Sequence, residues 1–230
     1  MRGRLRHWTP RYAFNRIRWE IFERTHPDSP WLVPDAVRLL DQMLRKSDAG
    51  LEWGSGRSTV WFAKRLGRLT SVEDNSEWQQ RVSGQLAAAG VKNVSYHMLA
   101  SKADDPAQAP YVRIADEMED ESLGFALVDG SLREHCAHAV LTKIEPGGVL
   151  VLDNSNWYLD HPTKAPYSRY GVGDENPEWK RLSTRLAEWR QINTSNGISD
   201  TTLWIRPARW VDPAPPPAAS SAARLRTGEA

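Results

Sequence analysis

Between residues 49 and 152 the apolar positions of this chain alternate between short continuous runs and stripes at helical spacing. The runs, starting at Ala49, Leu69, Val94, Phe125 and Val149, predict five strands, and Phe125–Val128, apolar throughout, predicts one buried on both faces. The stripes between them predict helices. Trp61, Phe62 and Leu66 lead to Gly67, suited to a left-handed cap, and Trp78, Val82, Leu86 and Ala89 follow a capping-box spacing of Ser76 and Gln79 and close at Gly90. A further helix is expected from about Arg133 to Ile144, before Pro146-Gly147-Gly148 turns into the fifth strand. Residues 101–121 are polar and acidic, with a short helix around Val112 to Met118. This rhythm argues for an α/β, doubly wound parallel sheet, whose ligands sit beyond the carboxyl ends of the strands.

The flanks follow other patterns. Tyr12, Phe14, Ile17, Ile21 and Phe22 recur at helical spacing among Arg11, Arg16, Arg18 and Arg24, and the pattern stops before Pro27. An amphipathic helix is therefore expected within residues 1–34, either covering the core or offering a basic face to a membrane or partner. A second helix is predicted from Asp35 to about Lys46. Beyond the fifth strand, Asn176-Pro177 opens a helix with Trp179, Leu182, Leu186 and Trp189 on its buried side. Gln191–Thr194 and Thr201–Ile205 then flank Asn196-Gly197 as a hairpin. The chain thus reads as an N-terminal segment 1–34, a domain 35–211, and a disordered Pro/Ala-rich tail 212–230.

Composition narrows the partners. Lys and Arg total 30 against 29 Asp and Glu, a formal charge of +1, so nothing in the balance calls for nucleic acid. The single cysteine, Cys136, allows no internal disulfide, and no Cys/His cluster has zinc-site spacing. With no apolar run of membrane-spanning length, the expectation is a soluble cytoplasmic protein.

The chemistry centres on Leu51-Glu52-Trp53-Gly54-Ser55-Gly56-Arg57-Ser58-Thr59, a strand, a glycine turn and a helix start. Two glycines one residue apart let the backbone approach a ligand, the helix N–H groups face the turn, and Glu52 adds a negative charge that favours a cationic ligand over a pyrophosphate. Polar residues collect at the other carboxyl ends: Glu73 and Asp74, Asp129, Asp153 and Asn154. His161 lies in the aromatic loop 155–175, which is expected to cover an acceptor site and supplies the better candidate base; His135 and His138, one helical turn apart, read as structural.

LEWGSGRST, SVED, FALVDG and PGGVLVLDNSN, in this order, resemble the class I S-adenosylmethionine-dependent methyltransferases over about residues 35–207. The resemblance implies a Rossmann-like seven-stranded sheet of order 3-2-1-4-5-7-6, last strand antiparallel, and methyl transfer to a small molecule, with the hydroxyl of a sugar or other metabolite as first choice. It assigns Glu52, Gly54, Gly56 and Ser58 to the cofactor motif, Glu73 to the ribose hydroxyls, and Asp129 to both cofactor and catalysis. Asp129, Asp153 and Asn154 are similar in placement to the magnesium ligands of catechol O-methyltransferase-like enzymes, although Ser131-Leu132-Arg133 stands where those carry a lysine. Two other readings stay open. An NAD(P)-dependent oxidoreductase of Rossmann type fits a glycine turn followed by an acid about 20 residues on; Thr59 at the third small position and Glu52 oppose it. The other is a cofactor-binding protein without catalysis.

Overall fold

The computed structural model describes residues 9–172 and 176–213. Most of the expected tail, the arginines at positions 2, 4 and 6, and positions 173–175 of the aromatic loop lie outside the described residues. Seven strands form one sheet of order β3-β2-β1-β4-β5-β7-β6. They are β1 (Ala49–Trp53), β2 (Arg68–Glu73), β3 (Val94–Met98), β4 (Leu123–Val128), β5 (Ile144–Asp153), β6 (Arg190–Ser195) and β7 (Asp200–Ile205). The first five are parallel, while β7 runs antiparallel to both β5 and β6. The order and the reversed strand are those the resemblance implied.

Alternation along the central strands sends side chains to two cores. Leu51, Trp53, Ala126, Val128, Leu150 and Leu152 pack toward α5 (Pro110–Arg113), α6 (Arg133–Val140) and α7 (Pro177–Arg185). Phe125, Leu127, Val149 and Val151 pack toward α2 (Pro34–Met43) and α3 (Arg57–Ala63). With both faces covered, the carboxyl ends of the parallel strands form the accessible edge. Among the described residues no helix is long and apolar enough to cross a membrane.

Several local expectations are corrected. The helix before Gly67 ends at Ala63, and Gly67 is no left-handed cap: its N–H donates to Asp48 O at 2.9 Å, and a Cβ there would lie 2.5 Å from Lys46 O. The cap of α4 (Ser76–Ala88) is Asn75, not Ser76, because the Asn75 side chain accepts the Trp78 N–H. α6 stops at Val140, and β5 already begins at Ile144, running through Pro146-Gly147-Gly148 with a register shift opposite Leu123 and Phe125. α1 (Pro10–Thr25) buries no residue completely. Its apolar positions split between two faces: Tyr12 and Phe22 are half-buried, whereas Phe14, Ile17 and Ile21 are 59%, 58% and 56% exposed.

Candidate functional site at the carboxyl edge

The glycine turn connects β1 to α3. Gly54 has φ +88°, and a Cβ on it would lie 2.7 Å from the Gly130 nitrogen and 2.8 Å from the Asp129 carbonyl carbon. Glycine is thus required twice over there, by conformation and by the approach of the loop after β4. Gly56 differs: its backbone is extended, and a Cβ would meet nothing closer than 3.8 Å. Only a ligand in the turn would demand glycine at that position.

The amides of the turn itself, ahead of the helix start at Arg57, are satisfied within the chain. Gly54 N–H donates to Val72 O at 3.0 Å, Ser55 N–H to Glu73 Oε2 at 3.2 Å, and Gly56 N–H to Thr59 Oγ1 at 2.9 Å. Glu73, at the end of β2, also accepts from the Ser55 hydroxyl at 2.9 Å and, through Oε1, from the Asp74 and Asn75 N–H groups at 3.0 Å each. Ser55 in turn lies 2.6 Å from the Tyr96 hydroxyl, and its carbonyl accepts from Trp78 Nε1. Glu73 therefore stands where an acid was expected, but it braces the turn through Ser55.

Glu52 is fully buried and does not present a charge at the mouth of the turn. It accepts hydrogen bonds from Ser58 at 2.5 Å, Thr59 at 2.7 Å and Ser71 at 2.7 Å. Burial pushes its carboxyl up to about 7, against the pull of those three hydroxyls. Ser58 is likewise buried and turned toward Glu52 rather than the turn. Thr59, which weighed against a dinucleotide site, ties the network together by donating to Glu52 while accepting from Gly56.

Next to the glycine turn, Asp129, Asp153 and Asn154 are brought together, and a cation is built in among them. The guanidinium of Arg133 ion-pairs with Asp129 Oδ1 at 3.0 Å. It also donates to the carbonyls of Asp129 (2.8 Å), Gly130 (3.0 Å) and Asp153 (2.6 Å), and to Asn154 Oδ1 (3.2 Å). Asp153 Oδ1 instead accepts from Thr201 at 2.6 Å, and Asn154 Nδ2 donates to Ser199 at 2.9 Å. The residues do not fit a magnesium ion: oxygens meant for it are occupied by Arg133, on Asp129 and Asn154, and by Thr201, on Asp153, and a second cation would be repelled. Among the described residues no group of three His, Cys, Asp or Glu side chains could hold a metal. Burial pushes Asp153 up to about 8, helped by the nearby Asp129, and Asp129 up to about 6 despite Arg133. Leu132 and Asn154, at φ 49° and 50°, are left-handed without being glycine, so both loops gripped by Arg133 carry backbone strain.

His161 is 5% exposed and pairs through Nε2 with Asp200 Oδ2 at 3.0 Å. It stands off the end of β7, outside the Asp129–Arg133 cluster. His138 is structural, packed between α6 and α7 against the Glu178 carbonyl and Arg185, and burial pushes it down to about 4. Of the loop aromatics, Tyr158 stacks on Trp179 at 4.9 Å, whereas Trp157, Tyr167 and Tyr170 are exposed. Sequence reasoning missed Ser71, Asn156, Asp200 and the reach of Arg133. A polar residue inside a strand (Ser71) and an arginine four positions after Asp129 were the available signals.

Among solved structures, the O-methyltransferase TomG of Streptomyces achromogenes, involved in tomaymycin synthesis and in complex with SAM, is similar at 22% identity, covering 84% of this chain and 89% of its own, with a TM-score of 0.55. The chain has the class I methyltransferase fold. A methyltransferase-like protein of Silicibacter pomeroyi is similar at 20% identity over 80% of this chain and 91% of its own, TM-score 0.54. An rRNA methylase of Streptococcus thermophilus is similar at 9% identity over 75% and 93%, TM-score 0.51. The same fold thus occurs in an enzyme of tomaymycin synthesis and in an rRNA methylase, and fold alone does not choose an acceptor. No protein-family model and no curated protein matches the chain.

Proposed function

We propose that this protein is an S-adenosylmethionine-dependent methyltransferase acting on a hydroxyl of a small metabolite, without a divalent cation. The observation that carries it is the meeting of the Gly54 turn and the Asp129 loop at the carboxyl edge of the sheet. Four carboxyl groups, Glu52, Glu73, Asp129 and Asp153, gather at one end of a sheet whose order is 3-2-1-4-5-7-6. Glu52 and Asp153 are buried and Asp129 is paired with Arg133, which leaves Glu73, beside the turn, as the acid that disfavours a pyrophosphate there. The antiparallel β7 also departs from the all-parallel order of dinucleotide-binding sheets, which weakens the oxidoreductase reading.

S-adenosylmethionine, when bound, supplies a methyl group made electrophilic by its sulfonium charge. The chain's own residues hold and orient. Gly54 and Gly56 would give close backbone approach, and Glu73, which now accepts from the Ser55 hydroxyl, would accept from ribose hydroxyls. Asp129, its position fixed by Arg133, would hold the charged end of the cofactor. Alignment of an acceptor by such a frame is worth roughly 7–11 kcal/mol of the barrier. Removal of the acceptor proton falls to a group off this edge, because both Asp129 and Asp153 are already engaged.

Calorimetry with S-adenosylmethionine, S-adenosylhomocysteine and NAD tests the reading. Binding of the two adenosyl sulfur compounds and not of NAD is expected; binding of NAD alone would refute it. Methyl transfer to a set of hydroxylated acceptors separates an enzyme from a binding protein.

A further inference from the structure

Beyond β5 and β7 a cavity of about 820 Å³ opens between α1, the start of α2 and the β6–β7 hairpin. That is the size of small-molecule sites. Trp19, Phe22, Val33 and Pro34 supply an apolar wall, and His161 and Asp200 line its polar end. Two carboxylates and four cations also line it, and each carboxylate is already paired: Asp35 with Arg38, Asp200 with His161. Arg11, Arg18 and Lys164 leave the cavity positive.

The His161–Asp200 pair is built rather than incidental. Asp200 is completely buried, and its backbone N–H donates to the buried Asn156 Oδ1 at 3.0 Å, which fixes the loop after β5 against β7. Burial pushes the Asp200 carboxyl up, but hydrogen bonds from His161, Ser195 and Thr163 outweigh it and hold it below its ordinary value. Nε2 of His161 faces the Asp200 carboxylate, so a neutral ring that donates to it has Nδ1 as its acceptor. That Nδ1 is buried and has no hydrogen-bond partner. An orphaned acceptor at a cavity wall points to a donor that arrives with a ligand. The pair also adjoins the methyl-transfer edge, since Asp200 precedes Thr201, which lies opposite Asp153 in the ladder and donates to its carboxylate.

We propose that this cavity receives the methyl acceptor, and that the acceptor is a hydroxyl-bearing organic acid with an apolar body. Its carboxylate lies against Arg11, Arg18 and Lys164, and its hydroxyl donates to Nδ1 of His161. This rests on the methyl-transfer reading. In the reaction the hydroxyl oxygen gains the methyl carbon, the carbon–sulfur bond breaks with its electron pair going to sulfur, and the hydroxyl proton passes to Nδ1. Asp200 balances the imidazolium that results.

The test uses salicylate, gentisate and hydroxyphenylacetate, each paired with its uncharged amide and with the parent acid lacking the hydroxyl. Binding is followed by tryptophan fluorescence, with and without S-adenosylhomocysteine. At least one acid should bind about ten-fold more tightly than its amide, and the Arg11→Gln/Lys164→Gln variant should lose that preference. The advantage of the hydroxylated acid over its parent should vanish in His161→Phe; if that variant does not fold, His161→Gln should reduce it. Amides that bind as well as acids, a panel in which nothing binds, or a double variant that keeps the preference would overturn the proposal. Binding of S-adenosylhomocysteine is read separately. Its failure refutes the methyl-transfer reading, while acid selectivity measured in its absence reports on the cavity alone.

Discussion

Replacing Glu52 by glutamine isolates the most deeply buried charge at the site. The carboxyl is pushed from 4.5 up to about 7, chiefly by burial, against hydrogen bonds from Ser58, Thr59 and Ser71. The folded chain therefore holds a proton that the unfolded chain has already released between pH 4.5 and 7. Its contribution to stability is fully present below that window and is lost as pH rises through it. A displacement of this size corresponds to about 3 kcal/mol. Glu52→Gln keeps the length of the side chain, its amide can satisfy the three hydroxyls by reorienting their protons, and it cannot ionise. Urea unfolding of both proteins in small pH steps across and above the window should show the variant gaining on the wild type by about 3 kcal/mol as pH rises. Asp129 and Asp153, pushed up to about 6 and about 8, bend both curves in the same direction and cancel in the difference. A gap between the two proteins that stays constant with pH would show that Glu52 ionises as an ordinary carboxylate, and the account of the buried network would be wrong.

Gly54→Ala forces a Cβ into the loop after β4 at a left-handed position, so thermal melts should show a loss of about 2 kcal/mol or more, whereas Gly56→Ala should melt within about 0.5 kcal/mol of wild type. If Gly56→Ala nevertheless weakens S-adenosylmethionine binding more than ten-fold by calorimetry, a ligand abuts that residue; unchanged binding would remove Gly56 from the site. Glu73→Ala should weaken cofactor binding by about 1–3 kcal/mol, and an unaltered dissociation constant would return Glu73 to a purely bracing role. Methyl transfer should be indifferent to a chelator, because Arg133 holds the oxygens a metal would need; activity lost to chelation and restored by magnesium would refute that assignment. Arg133→Gln leaves Asp129 unpaired beside Asp153 and should cost about 3 kcal/mol of unfolding free energy in urea titrations.

Much of the architecture was legible in the residues because it depends on periods local to each element. The short unbroken apolar run of Phe125–Val128 fits a strand covered on both sides, and Asn176-Pro177 opens α7 by the side-chain cap of asparagine and the fixed φ of proline. The need for glycine at position 54 was legible for the same reason, although the atoms that impose it, on Asp129 and Gly130, come from another strand. The strand order came from the resemblance, since periodicity says which face of a strand is buried but not which strand lies beside it.

What tertiary structure alone decided was where polar groups spend their hydrogen bonds. Glu52 looked like a charge offered to a ligand, but Ser71 on the neighbouring strand and two hydroxyls of α3 enclose it. Asp129, Asp153 and Asn154 looked like metal ligands, but the long arm of Arg133 spans both loops to hold the Asp129 carboxylate and Asn154 Oδ1, and Thr201 on β7 holds the Asp153 carboxylate. His161 was a plausible base with no visible partner; Asp200, 39 positions away, becomes that partner only because β7 reverses direction and returns to the end of β5. In α1 the stripe of apolar residues was clear, yet which of them would meet the body depended on the surface opposite, and Phe14, Ile17 and Ile21 face outward. A side chain's partners within its own helix or strand follow from spacing along the chain, whereas a partner from another element depends on how the elements pack, and the spacing does not encode that.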